Sequence, residues 1–129
     1  MTEYQTLLGK RALACKGWRW LQGMTARGVG EHEEDNAECL YVLGSDGDPN
    51  PFFFLKDPLP DFSDPATLGC LLFLVREAWK DPNTYCFLSL VTASWCTTGK
   101  GILSSLEYPI ESYISEVDSL VTALERAPG

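Results

Sequence analysis

The stretch that begins at Asp64 limits the possible folds more than any other part of this sequence. Asp64 stands before Pro65, and a capping carboxylate followed by a proline in the first turn is typical of a helix start. Apolar side chains then widen the helical stripe beyond one face, and charged residues appear only from Arg76 onward. We therefore predict a helix that begins at Pro65 and is the most buried one in the fold. Gly69 within it predicts a close approach to another backbone.

Two further helices are predicted from apolar spacing. Residues 3–15 place apolar side chains at intervals of three and four, and Gly17 ends this pattern. Near the end of the chain, a second stripe runs from Tyr113 through Val117 and Leu120 to Leu124, with acidic residues on the opposite side. Each pattern indicates an amphipathic helix with one face on a core.

The remaining apolar runs predict strands. Residues 18–21 are short and aromatic between two glycines, and residues 37–43 and 52–55 flank a turn-rich stretch, which predicts a hairpin with a long tip. Two prolines in residues 56–60 argue against a strand there. Residues 84–96 are apolar on both alternating faces through Val91, so we predict one strand covered on both sides. Residues 102–108 complete a second hairpin.

Together these elements predict one α+β domain over residues 1–129. We expect a largely antiparallel sheet of about five strands packed with three helices, in the sandwich-like order α-β-β-β-α-β-β-α. The chain has 129 residues, of which 45% are hydrophobic and 22% charged, a globular balance for one ordinary domain. A long acidic loop or hairpin at about 28–55 is an insertion in this plan, and residues 28–36 are expected to be a mobile loop.

The charge is unevenly distributed. The net charge of -8 argues against a general binder of DNA or RNA, because the phosphate backbone would be repelled. Residues 1–27 carry five basic side chains and only one acid, whereas residues 28–64 carry ten acids and one lysine. A small basic face on an acidic molecule could still hold a compact anion such as a nucleotide phosphate, since bidentate arginine contacts act at short range.

The sequence contains no combination of residues that is typical of a catalytic or metal-binding site. His32 is the only histidine and lies among four acids, which favours a solvated acidic loop over a metal site or a catalytic base. Residues 46–51 resemble the start of a calcium loop, but Pro51 stands where that loop needs glycine. Residues 98–101 lack the first glycine of a phosphate-binding loop and the serine or threonine that follows its lysine. Five cysteines without close spacing indicate reduced thiols. The sequence therefore predicts a protein that is not an enzyme and has no cofactor and no metal.

Aromatic and basic residues occur together near the first helix. The candidate ligand-binding residues, which supply rings for stacking and cations for phosphate, are Arg11, Lys16, Trp18, Arg19 and Trp20. The alternative is that both tryptophans pack into the core, because rings of this size dominate core energetics.

Four segments resemble small phage and prophage proteins of the phage ABA-sandwich type. They are Gly17-Trp18-Arg19-Trp20 with Gly23-Met24, the run from Asp64 to Leu71, the run from Val75 to Trp79, and the run from Leu120 to Glu125. The resemblance covers about two-thirds of the chain and implies a phage origin and a sheet between helices. It carries over no catalytic or binding residue, and the acidic segment at 28–55 departs from the pattern.

A phage origin implies an accessory protein that acts on host defence in the cytoplasm of the bacterial host. The first expectation is that it binds and sequesters a nucleotide-like signalling molecule, and such proteins often form homo-oligomers. The alternative is an acidic inhibitor or adaptor of a host defence protein. Its docking residues would then be Glu31, Glu33, Glu34 and Asp35. Direct binding of nucleic acid is not expected, because the chain is acidic. Membrane association is not expected either, because no apolar run approaches the roughly 18 residues needed to span a bilayer.

Overall fold

The computed structural model describes residues 2–30, 38–45, 51–52, 54–90, 94–98 and 115–128. These residues form three helices and five strands in the order predicted from the sequence. The helices are α1 (Glu3–Leu13), α2 (Pro65–Trp79) and α3 (Glu116–Glu125). The strands are β1 (Thr25–Gly30), β2 (Glu38–Val42), β3 (Leu55–Pro60), β4 (Tyr85–Ser89) and β5 (Ser94–Thr98).

The described strands form two separate antiparallel sheets. β1 is the central strand of a three-stranded sheet, between β2 and β3, and β4 pairs with β5 in a two-stranded sheet. The α+β class and the element order are confirmed. The expectation of one five-stranded sheet in a sandwich is wrong, because the described residues of β4 and β5 pack on α3 and do not extend the first sheet.

All three predicted helices are present, and each begins at a side chain that caps it. The Thr2 hydroxyl accepts a hydrogen bond from the Gln5 amide, and the Asp64 carboxylate accepts one from the Thr67 amide. The Ser115 hydroxyl starts α3 by accepting from the Asp118 amide. These caps satisfy amides of the first turn that have no partner within the helix, which explains why the helices begin where they do.

The main core lies between the three helices. Leu71, Leu74 and Val75 of α2 pack there against Leu120 and Val121 of α3, and all five side chains are buried. The prediction that α2 is the most buried helix is wrong, because six of ten residues of α3 are buried against four of fifteen in α2. α3 is covered from three sides, by α1, by α2 and by the β4–β5 sheet. The prediction for Gly69 is also wrong, since a Cβ there would meet nothing within 4 Å.

Residues 18–21 form no strand, and the first strand lies seven residues later, at Thr25. The backbone of this stretch makes local turns, in which the Trp18 amide donates to the Cys15 carbonyl and the Met24 amide to the Leu21 carbonyl. Trp18 and Trp20 are held by their rings, whose centroids lie 5.3 Å apart in an edge-to-face arrangement. Packing of the rings, and not pairing of the backbone, therefore fixes this segment.

The predicted hairpin between residues 37–43 and 52–55 is wrong, because β2 and β3 both pair with β1 and not with each other. Residues 56–60, which two prolines seemed to exclude, are part of β3. A proline cannot donate to a sheet ladder, but β3 is an edge strand and is interrupted by a bulge, and both places tolerate proline. Pro60 sits opposite Ala26 at the end of the ladder.

The single strand predicted over residues 84–96 is two strands, β4 and β5, paired from Tyr85 opposite Thr98 to Ser89 opposite Ser94. Cover on both faces is also wrong, because Tyr85 and Leu88 are about half exposed. The hydrogen bond of 2.7 Å between the Thr97 and Ser119 hydroxyls ties this sheet to α3. The strand predicted at 102–108 and residues 31–36 of the predicted mobile loop lie outside the described residues, whereas residues 28–30 belong to β1.

Candidate functional site

A groove of about 800 Å³ runs between α1 and the β1–β3 side of the first sheet. α1 crosses close to β3, because Gly9 carries no side chain and a Cβ there would lie 3.3 Å from the Leu59 Cβ. We call this groove the α1–β3 groove. Its cationic and aromatic lining residues are Lys10, Trp20, Arg27 and Lys56, and its acidic ones are Glu38 and Asp57. The lining therefore carries a net charge of +1 on a chain whose net charge is -8.

Arg27 lines the groove and is only loosely held. Its Nη1 lies 3.6 Å from Glu38 Oε2, and its Nε lies 3.4 Å from Asp61 Oδ2. Both distances exceed the 2.7–2.9 Å that is usual for a charge-assisted hydrogen bond. The buried Nε makes no hydrogen bond of good geometry within the described part of the chain. Because the Nε faces the buried Asp61 carboxylate, an anionic ligand in the groove would bind the terminal nitrogens of the guanidinium.

Lys10 and Lys56 add two further cations to the lining of the groove. Lys10 belongs to the last turn of α1 and Lys56 to β3, and both are exposed. Among the described residues, no carboxylate lies within ion-pairing distance, 4 Å, of either ammonium. These two cations can therefore turn toward a ligand without breaking an ion pair of the described structure.

Trp20 forms an aromatic wall of the groove. Its ring packs edge-to-face on Phe52, with the centroids 4.8 Å apart, and it contacts both the main core and the small core beneath the first sheet. The ring remains partly exposed. A ring that is fixed in this way loses little freedom when a planar ligand stacks on its exposed part.

Arg11, in contrast, is fully engaged by its own chain. Its guanidinium donates to Asp118 Oδ1 at 3.1 Å, to the Thr122 hydroxyl at 3.1 Å and, as a fork, to both carboxylate oxygens of Glu125. The hydrogen bonds to Glu125, followed by those to Asp118, raise the pKa of Arg11 above its usual value despite its burial. A phosphate at Arg11 would have to displace two carboxylates, so this residue ties α1 to α3.

The other residues predicted to bind a ligand do not converge. Lys16 lies with Arg11 at a separate hollow of about 570 Å³ at the ends of the helices. Arg19 is about half exposed and pairs with Glu77 at 2.8 Å. Trp18 packs on Phe62, with the centroids 6.1 Å apart. Of the five predicted residues, the structure brings only Trp20 into the α1–β3 groove.

Potential metal ligands do not cluster among the described residues, and burial raises the pKa of two cysteine thiols. Within them, no group of three or more histidine, cysteine, aspartate or glutamate side chains could hold a metal ion. Burial is the main cause that raises the pKa of the Cys15 and Cys86 thiols, which disfavours the reactive thiolate. His32 and the predicted docking residues Glu31, Glu33, Glu34 and Asp35 lie outside the described residues.

Sequence reasoning did not find Lys10, Arg27 or Lys56 as site residues. The three cations come from α1, β1 and β3, and only the antiparallel pairing of β1 with β3 brings Arg27 close to Lys56. One signal was present, because Arg27 is the last of the five basic residues in the cationic first part of the chain.

Comparisons with known proteins give no information about this site. No protein-family model matches the chain, and neither the curated proteins nor the solved structures include one with significant similarity to it. None of the helices formed by the described residues has the length and apolar character needed to cross a membrane.

Proposed function

We propose that this protein binds and sequesters an anionic, nucleotide-like small molecule in the α1–β3 groove. In this proposal Lys10, Arg27 and Lys56 hold the phosphate groups, and the base stacks on Trp20. The observation that carries the proposal is the grouping of three cations in one groove, where Arg27 has only long ion pairs and the two lysines have no ion pair within the described residues. The role of a phage accessory protein directed against host defence is part of this proposal and rests on the sequence resemblance alone.

The size and chemistry of the groove suit such a ligand. Pockets for small molecules usually measure about 300–1,000 Å³ and combine apolar walls with a few convergent polar groups. Leu13, Leu59 and the ring of Trp20 supply apolar wall, and three cations share the lining with them. Because the whole chain is acidic, long-range attraction contributes little, and the affinity must come from short-range hydrogen bonds to the cations.

The test is a titration of purified protein with ADP, GDP, cyclic AMP and pyrophosphate, followed by calorimetry and by thermal unfolding. A ligand that binds the folded state raises the unfolding temperature by mass action. Lys56→Gln should weaken binding about five- to tenfold, the loss expected for one charge-assisted hydrogen bond. Arg27→Lys keeps the charge but loses the planar fork, so it should weaken binding by a similar factor.

Lys16→Gln is the matched control, because it removes an exposed lysine that lies outside the groove. This variant should bind like the wild type. Phosphorus NMR of the mixtures should show unchanged ligand after prolonged incubation, as sequestration requires. A flat thermal response to all four compounds at millimolar concentration would refute the proposed function, as would equal losses in Lys16→Gln and Lys56→Gln.

A further inference from the structure

β3 contains a bulge at the point where it lines the α1–β3 groove. Arg27 pairs with Leu59 and Val29 pairs with Lys56, so two residues, Asp57 and Pro58, stand opposite the single residue between Arg27 and Val29. Asp57 has a φ of 50°, in the left-handed region that non-glycine residues seldom adopt. Bulges of this kind bend a strand and redirect its side chains.

Gly28, the residue opposite the bulge, makes this geometry possible. A Cβ at Gly28 would lie 3.1 Å from the Leu55 Cβ and 3.2 Å from the Lys56 carbonyl oxygen, and the second of these atoms belongs to the backbone. A larger residue would require β1 and β3 to move apart by a few tenths of an ångström. The bulge is therefore built by both strands, with a glycine on one and a left-handed aspartate on the other.

The bulge has a consequence for the groove. In a regular strand, neighbouring side chains point to opposite faces, whereas a bulge can turn two neighbours toward the same side. Here both of them line the α1–β3 groove. They are not paired with each other, since no ion pair joins them and Asp57 has no cation of the described residues within 4 Å. A backbone conformation that costs free energy thus places an exposed carboxylate beside the cations of the groove.

A carboxylate in a site for phosphate is unfavourable unless the ligand also offers hydrogen-bond donors to it. The two hydroxyl groups of a ribose are such donors, and an acidic residue that accepts from ribose hydroxyls is a recurrent way of recognising nucleotides. On the basis of the proposed function, we infer that Asp57 binds the ribose hydroxyls and that the α1–β3 groove therefore selects ribonucleotides over nucleotides that lack these hydroxyls. Lys56, its neighbour on the bulge, then contacts the phosphate.

Calorimetry on the full chain tests this inference with ADP, GDP, their 2′,3′-dideoxy forms and pyrophosphate. The wild type should bind the ribonucleotides about tenfold or more tightly than the dideoxy forms, as expected when hydrogen bonds to a charged group are lost. Asp57→Asn keeps a residue that tolerates positive φ but removes the charge, and it should reduce this ratio to about threefold or less. Asp57→Gly should abolish the preference without lowering the unfolding temperature, because glycine relieves the strain.

Pyrophosphate carries no sugar hydroxyl, so its affinity for Asp57→Asn should be at least as high as its affinity for the wild type. Equal binding of ribonucleotides and dideoxynucleotides by the wild type would overturn the inference and leave the proposed function in place. A preference that persists in both variants would also overturn it. If neither the nucleotides nor pyrophosphate bind, the proposed function itself fails.

Discussion

Replacing Arg11 with methionine should destabilise the fold more than the same replacement at Arg19. Methionine keeps most of the aliphatic stem, so the change mainly removes the guanidinium and its hydrogen bonds. Those bonds join α1 to Asp118, Thr122 and Glu125 of α3, which lie 107–114 positions away in the sequence. The Arg11 side chain is only 29% exposed, so solvent screens these interactions incompletely.

The three partners of Arg11 should contribute unequally. Asp118 is 19% exposed, and a charge-assisted hydrogen bond there should be worth about 1 kcal/mol. Glu125 is 37% exposed, and its fork with Arg11 should be worth about 0.5 kcal/mol after screening. The hydroxyl of Thr122 adds about 0.5 kcal/mol. Arg11→Met should therefore lower the free energy of unfolding by about 2 kcal/mol, which corresponds to a fall of roughly 6–10 °C in Tm for a domain of this size.

Urea unfolding and double-mutant cycles provide the measurement. The coupling free energy of Arg11 with Asp118, measured with Asp118→Asn, should exceed that with Glu125, measured with Glu125→Gln. Added salt should weaken the second coupling more than the first. Arg19→Met is the control, because it breaks a single ion pair between two half-exposed side chains and should cost less than about 0.5 kcal/mol. Equal losses in Arg11→Met and Arg19→Met would refute this reasoning.

Two further predictions concern stability. Hydrogen bonds, chiefly from Thr67 and to a smaller extent from Thr25, hold the pKa of Asp64 below its ordinary 3.8. The ionised Asp64 therefore stabilises the fold fully above pH 3.8, and this stabilisation is lost as the pH falls through the lower pKa of the folded state. Asp64→Ala should cost about 1 kcal/mol at pH 7 by urea unfolding and should flatten the acid limb of the stability curve, and an unchanged acid limb would contradict this. Leu71→Ala removes a fully buried side chain of the main core and should cost about 2–5 kcal/mol in the same assay, whereas Phe73→Ala, at a half-exposed position of the same helix, should cost far less.

The helices could be predicted because their signals are local. Two neighbouring residues, Asp64 and Pro65, mark the start of α2. The apolar residues of α3 recur at the helical period along its ten residues. Neither signal depends on what the helix packs against. The prediction of which helix is most buried failed for the same reason, because burial depends on all the elements that surround α3.

The strands were harder to predict because their signals depend on partners. β1 contains two glycines and only two β-branched residues, so its propensity is poor, and it becomes a strand because β2 and β3 pair with it on both sides. Pro58 and Pro60 argued against β3, yet a bulge and a strand end accommodate them. The α1–β3 groove followed from these pairings, so only Trp20 could be named among its residues in advance.

The junction between α1 and α3 also affects how the chain can be made. During synthesis α1 emerges before α3, and its Arg11 and Tyr4 find their partners only when residues 115–125 have left the ribosome. Until then the apolar face of α1 and the core face of α2 lack the element that covers them. Contacts that join such distant parts of a chain slow folding and prolong the exposure of apolar surface. The nascent polypeptide therefore completes its fold late, and a chain that stops before α3 would be a substrate for chaperones and proteases.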